Sequence, residues 1–160
     1  LLKMKSTQRE AGRIGEMICL LRMSKMGIEA EIVNLGTSDI IAFAYDKVWR
    51  IQVKSSNIKA NGKSVRALGY QFCVAKGSQK KQSLSLHDCD IVALVAIPQE
   101  RVMFQPVHLF AGVKTQRYKA HRFNNLTLET DTWISCMKEY GINPPPPNSC
   151  LVLDPPYSEL

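Results

Sequence analysis

The chain has 160 residues and a net charge of +7, and 45% of its residues are hydrophobic, a composition that suits one compact domain. No stretch approaches the ~18 apolar residues of a membrane span, and five cysteines without close pairing argue against a disulfide framework. The excess of Lys and Arg favours a polyanionic partner, nucleic acid or an acidic membrane surface. We expect a soluble intracellular protein without a signal peptide, cytoplasmic or nucleoid-associated.

The first predicted element is a helix. Thr7 followed by Glu10 has the form of a capping box, and Gly27 ends the pattern as a C-terminal cap. Apolar residues follow at helical spacing between these two ends. They predict one buried helix face made of Ile14, Met17, Ile18 and Leu21.

Two strands are predicted directly after this helix. Residues 30–33 form a short strand, and the turn-rich residues 34–38 separate it from the next one. Residues 39–45 are nearly all apolar after their leading acid, which predicts a strand that is covered on both faces.

A third strand, residues 48–54, is predicted to close a hairpin with the second. Its apolar residues alternate with polar ones, so one face is predicted to carry Trp49, Ile51 and Val53. Asp46 and Lys47 are predicted to be the two loop residues of this hairpin.

The rest of the chain completes an α/β domain. Three further strands are predicted, namely residues 70–75, 91–97 and 102–107. Residues 111–125 are basic and are predicted to form a surface loop or irregular region rather than core. A short helix is predicted to start with Asp131 as its cap and to end before Gly141. The expected fold is a central mixed β-sheet flanked by helices.

Four consecutive prolines at residues 144–147 force an extended conformation. We therefore predict that residues 1–143 form a single domain. Residues 144–160 are predicted to be a Pro-rich tail, either disordered or an oligomerisation arm that lies on a partner subunit.

The hairpin geometry brings three polar residues together. With Asp46 and Lys47 in the loop, Asp39 lies opposite Lys54, and the strand period of two adds Gln52 to the same face. A carboxylate, an amide and an ammonium are therefore predicted to converge beside a hydrophobic sheet.

This set of groups suits phosphodiester hydrolysis, which needs a hard divalent cation, an activated water and positive charge near the scissile phosphate. Asp39 is the predicted metal carboxylate, and the Gln52 amide oxygen and the Val53 carbonyl are predicted to complete the metal shell. Lys54 is predicted to orient or activate the water and to stabilise the transition state. Glu16 is expected to add a carboxylate through water. The expected cation is Mg²⁺, with Mn²⁺ as a substitute.

Basic residues cluster in two acid-free stretches, and such clusters attract phosphate. Together with neighbouring polar groups they define the predicted DNA-binding residues, which are Ser38, Ser55, Lys59, Lys63, Arg66, Lys76, Lys80, Lys81, Arg117, Lys119, His121 and Arg122.

The order of these motifs resembles the PD-(D/E)XK nuclease core over roughly residues 8–56. The residues that carry the resemblance are Gly15-Glu16, Ser38-Asp39-Ile40-Ile41-Ala42 and Arg50-Ile51-Gln52-Val53-Lys54. Ser38 stands at the usual proline and Gln52 at the usual acid. The third segment, with Gln52-Val53-Lys54, is similar to the Q-V-K variant of a family of group I intron homing endonucleases of this fold. The later Asp90-Ile91-Val92-Ala93-Leu94-Val95 is similar to that family's second sheet segment.

The resemblance implies a restriction-endonuclease-like fold and a sequence-specific endonuclease that cuts double-stranded DNA as a homo-oligomer, either a dimer or a tetramer. Two alternatives stay open. A Holliday-junction resolvase on the same core would choose DNA by branch shape. A catalytically silent DNA-binding module of the same fold is favoured by Gln52 in place of the acid.

Overall fold

The computed structural model describes residues 7–57 and 69–145. Its centre is a five-stranded mixed sheet in which only one pair of neighbours, the third and fourth strands across the sheet, runs parallel. Across the sheet the order is β1 (Glu29–Leu35), β2 (Ser38–Ala44), β3 (Lys47–Ser56), β7 (Ile91–Ala96) and β8 (Arg101–Pro106). The expected α/β class with a central mixed sheet is confirmed.

Different elements cover the two faces of the sheet. The helices α1 (Gln8–Lys25) and α2 (Leu128–Glu139) pack on one face. Two small antiparallel pairs complete the strands: β4 (Gly69–Cys73) with β9 (Thr115–Lys119), and β5 (Ala75–Lys76) with β6 (Gln82–Ser83). The first pair contributes Tyr70 and Phe72 to a second core, which lies against Val92 and Leu94 on the other face. None of the helices within residues 7–57 and 69–145 has the length and apolar character needed to cross a membrane.

The ends of α1 are those that the sequence predicts. Thr7 and Glu10 form the capping box, with the Thr7 backbone N–H donating to Glu10 Oε2 over 2.7 Å. At the other end Gly27 takes a φ of +75°, and the Ile28 N–H donates to the Met23 carbonyl over 3.0 Å. This is the Schellman arrangement, which satisfies the last carbonyls of a helix.

The predicted buried face of α1 is wrong. Ile14, Met17 and Leu21 are 41%, 59% and 51% exposed, and Ile18 is only partly buried against the core. The buried residues are instead Gly15, Cys19 and Met23. These residues also follow helical spacing, and the small side chain of Gly15 lets the helix approach β3 closely. A Cβ on Gly15 would overlap Ser55 Oγ and lie 2.9 Å from Ser55 Cβ.

The hairpin between β2 and β3 forms with a different register from the predicted one. Its loop residues are Tyr45 and Asp46, which have φ angles of 56° and 58°, and Ala44 pairs with Lys47. The Tyr45 hydroxyl accepts a hydrogen bond from Trp133 Nε1 over 3.2 Å, which ties the turn to α2. The shift is two residues, so every side chain keeps its predicted face.

The burial of the two hairpin strands agrees with the sequence in part. Trp49, Ile51 and Val53 are buried on the predicted common face. In β2, however, only alternate residues are buried, and Phe43 is 46% exposed. The prediction that this strand is covered on both faces is therefore wrong, because nothing in the described ranges covers its outer face near the turn.

The strands β7 and β8 form the buried centre of the sheet, as predicted, and every residue of β7 is buried. An ion pair fixes the start of β7 against β3, where Arg50 Nη2 lies 3.0 Å from Asp90 Oδ1. The backbone N–H of Arg50 also donates to Asp90 Oδ2 over 2.8 Å. Arg50 is therefore part of the framework rather than a free basic group.

Residues 111–125 are more ordered than the sequence predicts. Five of these residues form β9, and residues 120–124 form a 3-10 helix. Phe123 is fully buried beside Tyr70 in the second core. The prediction of a loop outside the core is wrong because the basic residues alternate with inward-facing aromatic ones.

The last helix begins earlier than predicted and ends as predicted. It starts at Leu128, so Asp131 lies in its first turn rather than at its cap. Gly141 has a φ of +76° after the helix end. Near its start, Glu129 accepts a hydrogen bond from Arg101 Nε over 2.7 Å, and this buried pair joins α2 to β8.

Cys19, Cys73, Cys89 and Cys136 are free thiols, so the part of the chain that the structure describes contains no disulfide. The division into residues 1–143 and 144–160 stays a prediction, since residues 146–160 lie outside the described ranges.

Candidate active site

Asp39 lies where β2 separates from β3. The backbone ladder of the two strands ends at the pair Ile40 and Ile51, and the carboxylate of Asp39 fills the gap beyond it. Asp39 Oδ2 accepts a hydrogen bond from Gln52 Nε2 over 2.7 Å and another from the Val53 backbone N–H over 2.7 Å. The side chain thus replaces the main-chain ladder at this point.

The observed register changes the predicted partner of Asp39. Asp39 lies opposite Gln52, not opposite Lys54, and Lys54 lies two residues further along the same strand. Because the strand period is two, Lys54 and Gln52 still share a face. The three predicted groups therefore lie on one part of the sheet, although their order differs from the predicted one.

The Val53 carbonyl also faces this gap. In an antiparallel pair the N–H and C=O of one residue point to the same edge of its strand. The Val53 N–H points toward Asp39, so the Val53 carbonyl points toward β2. The Val53 side chain is buried in the helical core, which leaves only the backbone of this residue at the site.

The site contains two carboxylates that influence each other. Burial raises the pKa of Asp39, although hydrogen bonds from Val53 and Gln52 and the charge of Lys54 lower it in part. Burial, and then the charge of Asp39, raise the pKa of Glu16 on α1. The structure therefore brings Glu16 close enough to Asp39 for the two negative charges to repel each other.

Lys54 is half-buried near the Asp39 carboxylate. Its Nζ donates a hydrogen bond to the Ala75 carbonyl over 3.1 Å. Burial lowers the pKa of Lys54, the charges of Cys73 and Asp39 raise it in part, and Lys81 lowers it further. The amine is thus desolvated and lies in the field of another cation.

The donor set around Asp39 fits a hard cation that keeps several waters. No group of three or more His, Cys, Asp or Glu side chains suited to a metal occurs within residues 7–57 and 69–145. The available donors are the carboxylates of Asp39 and Glu16, the Val53 carbonyl and the Gln52 amide. Oxygen donors with only one or two carboxylates are typical of Mg²⁺ sites. The mutual repulsion of the two carboxylates also favours a cation between them.

The predicted DNA-binding residues fall into three groups. Ser38 is buried and its hydroxyl donates to the Asp88 carbonyl, while Ser55 Oγ is buried beneath α1 without a hydrogen-bond partner in the described ranges. Lys76 Nζ forms an ion pair with the buried Asp88 over 2.6 Å. The polar atoms of Ser38 and Lys76 already have partners within the fold, and Ser55 Oγ is enclosed, so DNA contacts by these three residues stay a prediction.

The second group is at the surface, and the third lies outside the described ranges. The exposed residues are Lys80, Lys81, Arg117, Lys119, His121 and Arg122. The guanidinium of Arg122 lies 5.1 Å from the ring centre of Tyr118. Three predicted residues are outside the described ranges, namely Lys59, Lys63 and Arg66.

Two groups at the site were not predicted from the sequence. The Ala75 carbonyl holds Lys54, and Cys73 lies near enough to influence its charge. The sequence does predict a strand through both residues. It contains no signal that this strand passes beside Lys54, since the contact spans 21 residues.

No protein-family model matches the chain. No curated protein sequence matches it either. Among solved structures, the chain is similar to the bacterial homing endonuclease I-Ssp6803I, with a TM-score of 0.53 and 18% sequence identity. The likeness covers 71% of this chain and 76% of that one. The central mixed sheet with its two helices is therefore a fold found in a bacterial homing endonuclease.

Proposed function

We propose that the chain is a metal-dependent endonuclease of the homing type, which hydrolyses phosphodiester bonds at specific sequences in double-stranded DNA. The observation that carries this proposal is the joint placement of Asp39, Gln52 and Lys54 at the gap between β2 and β3. The fold of the solved homing endonuclease supports it, as does the resemblance of the Q-V-K segment.

In this proposal, Asp39, the Val53 carbonyl and the Gln52 amide oxygen would hold Mg²⁺, with Glu16 linked through water and Mn²⁺ as a substitute. When bound, the cation supplies positive charge for the reacting phosphate and lowers the pKa of a coordinated water. Gln52 now donates its amide nitrogen to Asp39. Rotation of the amide would present its oxygen instead, and the Val53 N–H would continue to hold the carboxylate.

Lys54 acts on the water and on the phosphate. Its lowered pKa makes the neutral amine more accessible at moderate pH, and a neutral amine can accept a proton from water. In its charged form the ammonium donates to phosphate oxygens as negative charge develops on them. Partial burial strengthens that interaction because water screens it less.

Five exposed residues supply contacts to the phosphate backbone, namely Lys80, Lys81, Lys119, His121 and Arg122. Lys80 and Lys81 follow β5, the strand whose Ala75 carbonyl accepts the hydrogen bond from Lys54. Lys81 is close enough to lower the Lys54 pKa. The basic surface thus continues from the site outward. Such charges give binding that weakens as salt increases, and they carry no sequence information of their own.

The proposal includes a homo-oligomer, because one small subunit spans few base pairs. Incubation of the chain with long genomic fragments and Mg²⁺, followed by mapping of the new ends, tests the activity. We expect recurrent ends at one site. Scattered ends or intact fragments, at enzyme concentrations that saturate binding, would contradict a sequence-specific endonuclease.

One observation favours a second candidate, a catalytically silent DNA-binding module. Gln52 donates its amide N–H to Asp39 Oδ2 and brings no carboxylate of its own to the site. A silent module would bind duplex DNA with the same salt dependence and would show no nicking with Mg²⁺ or Mn²⁺. Wild-type protein compared with Asp39→Asn under both cations separates the two candidates.

A further inference from the structure

The two-stranded ribbon of β4 and β9 has one buried face and one exposed face. Tyr70 pairs with Tyr118 and Phe72 pairs with Gln116. Tyr70 and Phe72 are buried in the second core, with Tyr118 packed against it. Because strand side chains alternate, the intervening pairs point outward, away from this core.

The outward face carries polar side chains that suit recognition of DNA bases. Gln71 pairs with Arg117, between the pair Cys73 and Thr115 on one side and Gly69 and Lys119 on the other. Thr115, Arg117 and Lys119 are exposed. The ribbon face is cationic, which complements the charge of DNA.

Arg117 is held in place by its neighbour across the ribbon. Its Nε donates to Gln71 Oε1 over 3.2 Å. Within residues 7–57 and 69–145 its two terminal nitrogens donate to no other group. They form a fork that faces outward, and such a fork pairs with the O6 and N7 atoms of guanine in the major groove.

The ribbon begins beside the candidate active site. Ala75, which accepts the hydrogen bond from Lys54, follows Gln71 by four residues. Four residues of extended chain span at most about 14 Å, which is on the order of four base-pair rises of about 3.4 Å. The position of Arg117 therefore places any base contact close to the cut.

We propose that the outer face of this ribbon enters the major groove of duplex DNA and that Arg117 is a specificity-determining residue, with Gln71 as its positioning residue. The inference rests on the proposed endonuclease function. A two-stranded ribbon fits the major groove, which is about 12 Å wide. In this arrangement Arg122, whose guanidinium lies over the Tyr118 ring, contacts the DNA phosphate backbone beside the groove.

Cleavage of a duplex pool with a randomised central segment tests the proposal. The full chain cuts the pool with Mg²⁺, and the sequences are aligned on the cut. We expect Arg117→Gln to relax the preference at one or two base pairs, within about four of the cut, by roughly 10-fold or more. Gln71→Ala is expected to weaken the same preference by a smaller factor.

Two further variants serve as comparisons. Arg122→Gln should lower cleavage of all sequences alike and flatten the salt dependence of binding. Lys138→Gln, at an exposed position on α2, should change neither the cleavage rate nor the salt dependence of binding. If Arg117→Gln lowers cleavage of all sequences alike and leaves the preference intact, the ribbon contacts only phosphate and the inference is overturned. Absence of any cleavage by the wild-type protein would contradict the proposed function instead.

Discussion

Gln52 donates its amide N–H to Asp39 Oδ2 over 2.7 Å, just beyond the last ladder pair of β2 and β3. The amide neutralises no charge. Its hydrogen bond nevertheless lowers the pKa of Asp39 in part, against the larger effect of burial, and a carboxylate in its place would raise the repulsion within the site.

The first prediction concerns Gln52→Glu. Without divalent cation, we expect this variant to lose about 1–3 kcal/mol of stability, because a hydrogen bond is replaced by a contact between carboxylates. Mg²⁺ should restore its melting temperature, since a bound cation stabilises the folded state. Thermal melts with and without Mg²⁺ measure this. The control is Gln82→Glu, at an exposed position. Its melting temperature should equal that of the wild type and should not change with Mg²⁺.

Asp39→Asn should lose cleavage and keep most of its DNA affinity, because in the proposed site the carboxylate holds the metal and does not contact the DNA backbone. Its amide oxygen can still accept from the Val53 N–H. The pKa of Asp39 is raised, so protonation of Asp39 stabilises the wild-type protein as pH falls. This stabilisation is complete below the ordinary carboxyl pKa, and it is lost as pH rises through the folded-state pKa.

The variant carries no such titration, so it should be the more stable protein at neutral pH. The difference should shrink on acidification. Urea titrations of both proteins between acidic and neutral pH provide the measurement. A variant that is less stable at neutral pH, by a margin that grows with pH, would mean that Asp39 is held ionised by partners rather than penalised by burial.

Lys54→Met separates catalysis from stability. We expect the single-turnover rate at saturating enzyme to fall by about 10² or more, because the ammonium acts mainly in the transition state. DNA affinity should change little. Since the pKa of Lys54 is lowered, the folded state is penalised for its charge at every pH below the folded-state pKa, and the penalty vanishes above the ordinary lysine pKa.

The Lys54→Met variant should therefore be at least as stable as the wild type at neutral pH. Lys81→Met, at an exposed position, is the matched comparison. It should weaken binding and reduce its salt dependence, and its saturated rate should survive. Should the Lys54 variant lose affinity alone, Lys54 belongs to the phosphate-binding surface.

Two glycines of α1 give opposite predictions for the same substitution. Gly15→Ala should cost about 1–3 kcal/mol, because the new methyl group would overlap Ser55. Gly12→Ala, with nothing within 4 Å of the new methyl group, should stabilise by about 0.5–1 kcal/mol. Denaturant unfolding measures both. Adding Ser55→Gly should recover part of the Gly15→Ala loss, and strict additivity would show that the close contact is absent.

The sequence predicts those features of the fold that depend on local patterns. The capping box at Thr7, the cap at Gly27 and the alternation of Trp49, Ile51 and Val53 are all confirmed. Each of them requires only the chemistry of neighbouring residues. The register is wrong, but a shift of two residues still leaves Asp39, Gln52 and Lys54 on one face. Their catalytic roles stay predictions.

The features that the sequence does not predict depend on distant contacts. The turn at Tyr45 and Asp46 uses left-handed backbone conformations, which Asp adopts more readily than most residues but which are uncommon for Tyr. The hydroxyl of Tyr45 meets Trp133, 88 residues away. The order in residues 111–125 likewise depends on pairing with β4, a partner that no local pattern reveals.

The most direct test of the proposed active site is a Mg²⁺ titration of single-turnover cleavage, with wild-type protein and Asp39→Asn, on the DNA site found by end mapping. We expect the wild-type rate to rise with Mg²⁺ and reach a plateau, while the Asp39→Asn variant binds the same DNA and stays near the uncatalysed rate at every concentration. Cleavage by the variant at the wild-type rate would contradict the assignment of Asp39, Gln52 and Lys54 as the catalytic centre.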